Sequence, residues 1–371
     1  MARRVLLIVP TLLLLGCADG QPTSPGALSS PEVVRATPGL LVGSTTVLLT
    51  GLDAPKGIAF GPQGALYVVE SGNTSINGPC IVEPRGEKCY SGTGAVTRYW
   101  KGRQERVASG LPSVYVAAVN DIIGPADIGF LGVGDAIVSI GWGGPPAGRA
   151  LLGAYSTGFG DLIKLAPSGH WKVVADVSAV EDAENPAGGP VDSNPFGLLN
   201  EAGARFVADA GGNSLIQVMA NGATSVVATF PSLPAPPPFS QSEAVPTEVQ
   251  RGPDGALYVS TLSGVPFLSG NARIYRVVPG QAPTVYIDGF KTITDFAFAP
   301  DGGLYVVEYA SAPVFFGGPG KLTYVAPDGA RTVLKSDLTF PTAVAVGPDG
   351  AIYVSNKGNM AGVGEVLRIV P

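Results

Sequence analysis

The chain has 371 residues, 45% of them apolar and 14% charged, with 52 glycines, 34 prolines and a formal net charge of −6. So few charges, against roughly 25% in ordinary soluble domains, and so much Gly and Pro suit a chain of strands and turns. The negative balance and the lack of any Lys/Arg-rich run exclude a nucleic-acid surface.

Residues 1–16 read as a secretory signal rather than fold. Arg3 and Arg4 precede an apolar run at 5–15, too short for a comfortable membrane span. The run ends in Leu14-Leu15-Gly16-Cys17, which resembles the bacterial lipoprotein box, where the cysteine is lipidated and becomes the mature N-terminus. Leu15 is less usual there than Ala or Ser, and the plainer alternative is a conventional signal with an incidental cysteine. Ala18 is not the Asp that commonly retains lipoproteins at an inner membrane, so the resemblance points to the outer membrane where there are two. Residues 17–42, rich in Pro, Gly, Ser and Thr, read as a flexible tether. With Cys17 lipidated, Cys80 and Cys89 remain, bracketing CIVEPRGEKC. Two cysteines this close in an exported chain are expected to form a disulfide; by chain entropy the link is worth roughly 2–3 kcal/mol, mostly as rigidity of its own loop. Two free thiols are the alternative.

From residue 43 onward one phrase recurs six times: GPQGALYVVE (61–70), GVGDAIVSI (132–140), EAGARFVAD (201–209), GPDGALYVST (252–261), APDGGLYVVE (299–308) and GPDGAIYVSN (347–356). Each is a tight turn followed by an alternating strand. A marker seven residues before each turn keeps register: Pro55, Pro125, Pro195, Pro246, Ile293 and Pro341, spaced by 70, 70, 51, 47 and 48. A period near 50 with several short strands per unit predicts propeller blades, hence an all-β, six-bladed β-propeller as one domain over 43–371. In the fifth repeat the strands A to D are expected at 295–298, 303–308, 321–325 and 330–335. The last repeat ends after its third strand, so TTVLLT at 45–50 should supply the fourth and close the ring, removing free edges. A monomer is expected.

The A–B and C–D turns are all tight, whereas the B–C and D–A connections carry the extra residues: 71–93, 141–158, 178–194 and 231–245. Function tends to sit on loops displayed by a rigid scaffold, so the long-loop face is the candidate. Drift in tolerant surface loops is the plainer reading. Two residues after each marker stand Gly57, Asp127, Gly197, Glu248, Asp295 and Ala343. Strand A lines a propeller's channel, so Asp127, Glu248 and Asp295 are expected to ring its mouth and are candidate ligands for a hard cation such as Ca²⁺. At the end of strand B stand Glu70, Ile140, Asp209, Thr261, Glu308 and Asn356. Glu70, Asp209, Glu308 and Asn356 form a second circle of candidate ligand-binding groups. The alternative for both rings is solvated strand ends or turn caps. Trp142, Phe315 and Phe316 in long loops are candidates for apolar contact with a ligand, unless they fold down onto the blades. Tyr67, Phe206, Tyr258, Tyr305 and Tyr353 share one strand-B position and should pack between blades.

The single histidine, His170, lies in a turn on the tight-turn face. A Ser–His–Asp triad on the loop face is therefore excluded, as are zinc sites of His and Cys. GWGGPPAG (141–148) lacks the helix a phosphate loop needs. Any chemistry would run on carboxylates, a metal, Tyr or Lys.

The motifs DSNPFGLL (192–199), VADAGGNSLIQV (207–218), PTEVQRGPDGALYVSTLSGVPF (246–267), ARIYRVVPG (272–280) and PTAVAVGPDGAIYVS (341–355) resemble the ScyD/ScyE family across almost the whole propeller. The resemblance implies an exported propeller with no established activity. Two functional expectations follow. The first is a non-catalytic, cell-envelope module that captures a small molecule or an envelope protein on its long-loop face. The alternative is a divalent-cation-dependent hydrolase or lactonase resembling gluconolactonase-like propellers, with Glu70, Asp209 and Asn356 of the right types for the cation.

Overall fold

Six four-stranded antiparallel sheets follow one another along the chain in the computed structural model, which describes residues 43–312 and 317–371. The expected signal, the tether, Cys17, Phe315 and Phe316 lie outside the described residues. Blade 1 is Pro55–Phe60, Leu66–Glu70, Gly94–Trp100 and Arg103–Leu111; blade 2 is Pro125–Gly129, Ala136–Ile140, Asp161–Leu165 and Trp171–Asp176. Blade 3 runs Pro195–Glu201, Ala204–Asp209, Ser214–Met219 and Thr224–Thr229; blade 4 runs Pro246–Arg251, Leu257–Thr261, Ala272–Val277 and Thr284–Phe290. Blade 5 is Ile293–Phe298, Leu304–Glu308, Gly320–Val325 and Arg331–Leu338, within a few residues of the expected bounds. Blade 6 takes Ala343–Val346, Ile352–Asn356 and Gly364–Val370, and its outer strand is Ser44–Leu52 from the start of the domain. The closing register, Thr45 opposite Ile369 and Thr46 opposite Arg368, leaves no blade with a missing strand.

The tight turns work because glycine accepts left-handed backbone at no steric cost. Gly64, Gly255, Gly302 and Gly350 sit at φ of 75°, 80°, 87° and 75° in the A–B turns. Alternating strand residues then bury Val and Ile between blades. Val69 and Val96 of blade 1 meet Ile128, Val138 and Ile163 of blade 2 in one core cluster. Each such side chain is worth about 1.5–3 kcal/mol when fully buried. The repeated strand-B aromatics span the same interfaces. Tyr67 packs on Phe130 with ring centroids 4.6 Å apart, Tyr258 on Phe298 at 5.2 Å and Tyr353 on Phe60 at 5.0 Å. Each partner phenylalanine belongs to the next blade's strand A or its end.

Near the axis, side-chain hydroxyls tie four of the six blades to the marker of the next. Thr247 donates to Ile293 O at 3.0 Å, Thr294 to Pro341 O at 3.1 Å, Thr342 to Pro55 O at 2.8 Å and Ser71 to Pro125 O at 2.9 Å. Thr342 thus joins blade 6 to blade 1, the seam between the two chain ends. Thr342→Val, which removes only that hydrogen bond and strands a buried carbonyl, is expected to lower stability by about 1–2 kcal/mol in a denaturant melt. No loss would mean that the seam is held by strand pairing alone.

The long-loop side holds more structure than expected. Residues 71–93 are not merely a disulfide loop. Cys80–Glu83 and Gly86–Tyr90 pair with Val114–Val116 and Asp121–Ile123, from the connection into blade 2, to form a further four-stranded sheet. Its hairpin places Cys80 opposite Cys89, and the expected disulfide links them. The sheet escapes a local reading because half of it comes from a segment some thirty residues away. Elsewhere on this face, 141–158 winds a 3₁₀ segment (Pro146–Tyr155), 178–194 a short helix (Ala179–Glu184), and 231–245 a two-residue strand pair (Leu233–Pro234 with Gln241–Ser242).

Candidate functional site

Strand A does line the axis, but the three acids on it are buried in the channel rather than set at a wet mouth. Asp127, Glu248 and Asp295 are 8%, 9% and 7% exposed. Asp127 accepts from its neighbour Ile128 N at 2.8 Å and, across the blade interface, from Leu198 N at 2.8 Å. Asp295 likewise accepts from Phe296 N at 2.5 Å and from Val344 N of blade 6 at 2.7 Å. The small residues between the acids make room for them. A methyl at Gly57 would overlap Asp127 Oδ1, and one at Gly197 would stand 2.8 Å from Glu248 Oε2. The alternation of acid and small residue is therefore a packing pattern.

A void of about 10 Å³ remains between them, room for one water-sized occupant. Burial pushes the Asp127 carboxyl up to about 7. Glu248 is raised well above the ordinary range by burial and then by the charges of Asp127 and Asp295. Asp295 is raised well above it too, by burial first and then by Asp127. Among the described residues the one trio of acidic or cysteine side chains whose ligand atoms all lie within 4.8 Å of each other is Cys80, Glu87 and Cys89, and its sulfurs are spent in the disulfide. The axial acids stand too far apart, and two are turned to backbone N–H groups, so as placed they do not close round one Ca²⁺.

The second circle has a shared job as well. The connections entering blades 1, 3, 5 and 6 each present a backbone N–H to one of these side chains, a donor that is costly to leave unmet. Glu70 accepts from Asp53 N at 2.7 Å, Glu308 from Lys291 N at 2.8 Å and Asn356 from Thr339 N at 2.8 Å, each 17 residues back. Asp209 accepts from Asn194 N and Ser193 Oγ, both at 2.6 Å, and from Gly211 N and Gly212 N, both at 3.1 Å. Further partners complete the set: Thr97 and Arg106 on Glu70, Lys321 at 2.9 Å from Glu308, and Glu365 on the Asn356 amide. These four side chains hold the long loops in place. Trp142 also folds inward. It is 0% exposed, donates from Nε1 to Pro145 O at 2.9 Å and carries Lys88 Nζ 4.0 Å above its ring. His170 is exposed in its turn.

What the sequence reading missed is a cleft of about 670 Å³ on the long-loop face between blades 3 and 4. Phe230, Phe239 and Val265 give it an apolar wall; Asn213, Gln241 and Glu243 give it polar groups. Burial, followed by the charge of Asp192, raises the Glu243 carboxyl, with Arg85 opposing. Close by, Glu181 is 3% exposed and its Oε2 has no hydrogen-bond partner among the described residues. Its carboxyl is pushed up to about 7 by burial and then by Asp209 and Asp192, against a backbone hydrogen bond from Asp192. Asp192 itself pairs with Arg85. Gln241 and Glu243 carry no repeated spacing, so only their place just before the marker Pro246, at the foot of a long loop, hinted at them.

No protein-family model and no curated protein matches the chain. Among solved structures it is similar to a Thermus thermophilus protein described as an oxidoreductase (glucose dehydrogenase), at 17% identity over 88% of this chain and 99% of that one, with a TM-score of 0.50. It is similar to regucalcin, a calcium-binding protein of Agrobacterium tumefaciens, at 13% identity over 87% and 93%, with a TM-score of 0.52. A glucose dehydrogenase matches at 15% identity over 88% and 99%, with a TM-score of 0.50. This likeness is one of fold, and the fold is the β-propeller.

Proposed function

We propose that this propeller binds a small organic molecule in the cleft between blades 3 and 4. The observation that carries the reading is the cleft itself. Its volume lies in the usual range for ligand pockets, and apolar walls with a few convergent polar groups are the usual lining. Phe230, Phe239 and Val265 would cover an apolar part, while Gln241, Asn213 and Glu243 would orient hydroxyl or amine groups. The proposal extends to the protein's place and kin: a ScyD/ScyE-like propeller held at the cell envelope by lipid on Cys17, with 17–42 as tether. Support comes from the Leu-Leu-Gly-Cys signal and from the Cys80–Cys89 disulfide, a bond typical of exported chains.

The test is a thermal-shift screen of small polar compounds against the wild type and a Phe239→Ala/Glu243→Gln variant. Compounds that raise the wild-type melting temperature are expected to lose about tenfold or more in affinity for the variant, which corresponds to about 1.4 kcal/mol. Equal shifts in both proteins would remove the cleft from the account.

A second reading, a carboxylate-based hydrolase or lactonase, is favoured by one observation. The Glu181 carboxyl, held up to about 7, is poised to give or take a proton at neutral pH. Turnover of a lactone panel, with and without Ca²⁺, that disappears in Glu181→Gln would establish it. No turnover under either condition would leave the binding reading alone.

A further inference from the structure

The cleft between blades 3 and 4 carries charge of one sign. Glu243 is the ionisable side chain in its lining, which holds neither lysine nor arginine. The Glu243 carboxyl is accessible and makes no hydrogen bond or ion pair among the described residues. Donors for an anion are scarce as well. Asn213 is spent on the backbone, its Oδ1 accepting from Val245 N at 2.9 Å and its Nδ2 donating to Gly211 O at 3.3 Å. Arg85, the cation that acts on Glu243, is paired with Asp192.

Behind Asn213 the same sign of charge continues. Glu181 is 3% exposed, its Oε2 lacks a hydrogen-bond partner among the described residues, and that oxygen would stand 3.0 Å from a methyl at Gly212. Asp192 Oδ1 is also buried without a hydrogen-bond partner among the described residues and would lie 2.6 Å from a methyl at Gly211. Two unmatched carboxyl oxygens thus flank the Gly211-Gly212 turn that leads into the cleft at Asn213. The Glu243 and Glu181 carboxyls both sit above the ordinary range, through desolvation first and then neighbouring acids, as befits a place short of positive charge. On the apolar side, Phe230 is 2% exposed and packs on Tyr275 with ring centroids 5.1 Å apart, a fixed wall beside Phe239. Aromatic faces attract cations as well as apolar groups.

We propose that the cleft selects an organic cation, an ammonium group on a short apolar body. The inference presupposes that the cleft is the binding site and adds the sign of the ligand's charge. Glu243 accepts a charge-assisted hydrogen bond from the ammonium, Phe230 and Phe239 cover the apolar body, and Glu181 adds negative potential from behind the wall. An anion of the same shape finds carboxyls close by and no cation in the lining.

The experiment titrates the full chain in detergent with phenethylamine, phenethyl alcohol and phenylacetate by calorimetry at about pH 8, where the amine is protonated. Phenethylamine is expected to bind about tenfold or more tightly than the alcohol, with phenylacetate weakest. Glu243→Gln should bring the amine down to the level of the alcohol and leave the alcohol unchanged, and Phe239→Ala should weaken both. Alcohol or phenylacetate binding as tightly as the amine, and weakened by Phe239→Ala, overturns the choice of a cation while the cleft stays the binding site. Binding of all three that neither substitution changes overturns the cleft reading too. Phenethylamine that does not bind overturns the inference outright.

Discussion

Asp209→Ala is expected to cost about 3–5 kcal/mol of folding stability, the largest loss from any single substitution on the long-loop face. The carboxylate receives three backbone N–H groups and one hydroxyl, and the residue is 1% exposed. Removing it strands Asn194, Gly211 and Gly212 N–H in a place water reaches poorly, and each stranded donor costs about 1–3 kcal/mol. The total falls short of the sum because the Gly211-Gly212 backbone can shift once its anchor is gone. Asp209→Asn keeps one acceptor oxygen, so it should cost roughly half as much. Denaturant midpoints at constant m-value provide the measurement. An Ala variant within about 1 kcal/mol of wild type would mean that the loop is held by other contacts and that Asp209 is free for a ligand.

The second large effect depends on pH. Asp127 sits at about 7 in the folded protein against an ordinary 3.8. Because the folded value is raised, the protonated carboxyl's contribution is fully present below about pH 4 and lost as pH rises through 7. About three units correspond to about 4 kcal/mol across that window. Asp127→Asn cannot ionise, but its amide nitrogen cannot accept one of the two N–H groups the carboxyl now serves, a loss of about 1 kcal/mol. The variant should therefore be more stable than wild type by about 2–3 kcal/mol at about pH 8 and less stable by about 1 kcal/mol at about pH 4. Asp161 and Glu181, also raised to about 7, are present in both proteins and cancel in the comparison. Glu248 and Asp295, by contrast, are raised in part by the Asp127 charge, and its removal adds to the variant's gain at high pH. A difference of the same size and sign at both pH values would show that Asp127 holds no proton in the fold.

These two results bear on the same question, the purpose of the acids that recur through the blades. In the sequence they look like ligand groups because they repeat at strand ends. In the fold they fill the space left by glycines, as at Asp127 beside Gly57, or satisfy the N–H groups of the connections, as at Glu70 and Glu308. The candidate site lies elsewhere, where the blades differ from one another. Glu181 and Glu243 have no counterparts in the repeat.

The sequence alone determined the number of blades, the strand that closes the ring, the disulfide pair and the aromatic rungs between blades. Those features are written in short spans, in the Pro-Asp-Gly turns, in period-two alternation, and in a marker that fixes register to the residue. Tertiary structure alone decided which way the acids face, that residues 80–90 pair with 114–123, and that four connections of unlike sequence enclose a cleft. Each of these depends on contacts between segments tens of residues apart. There, burial and hydrogen-bond demand are set by the neighbouring blade, and no local pattern records them.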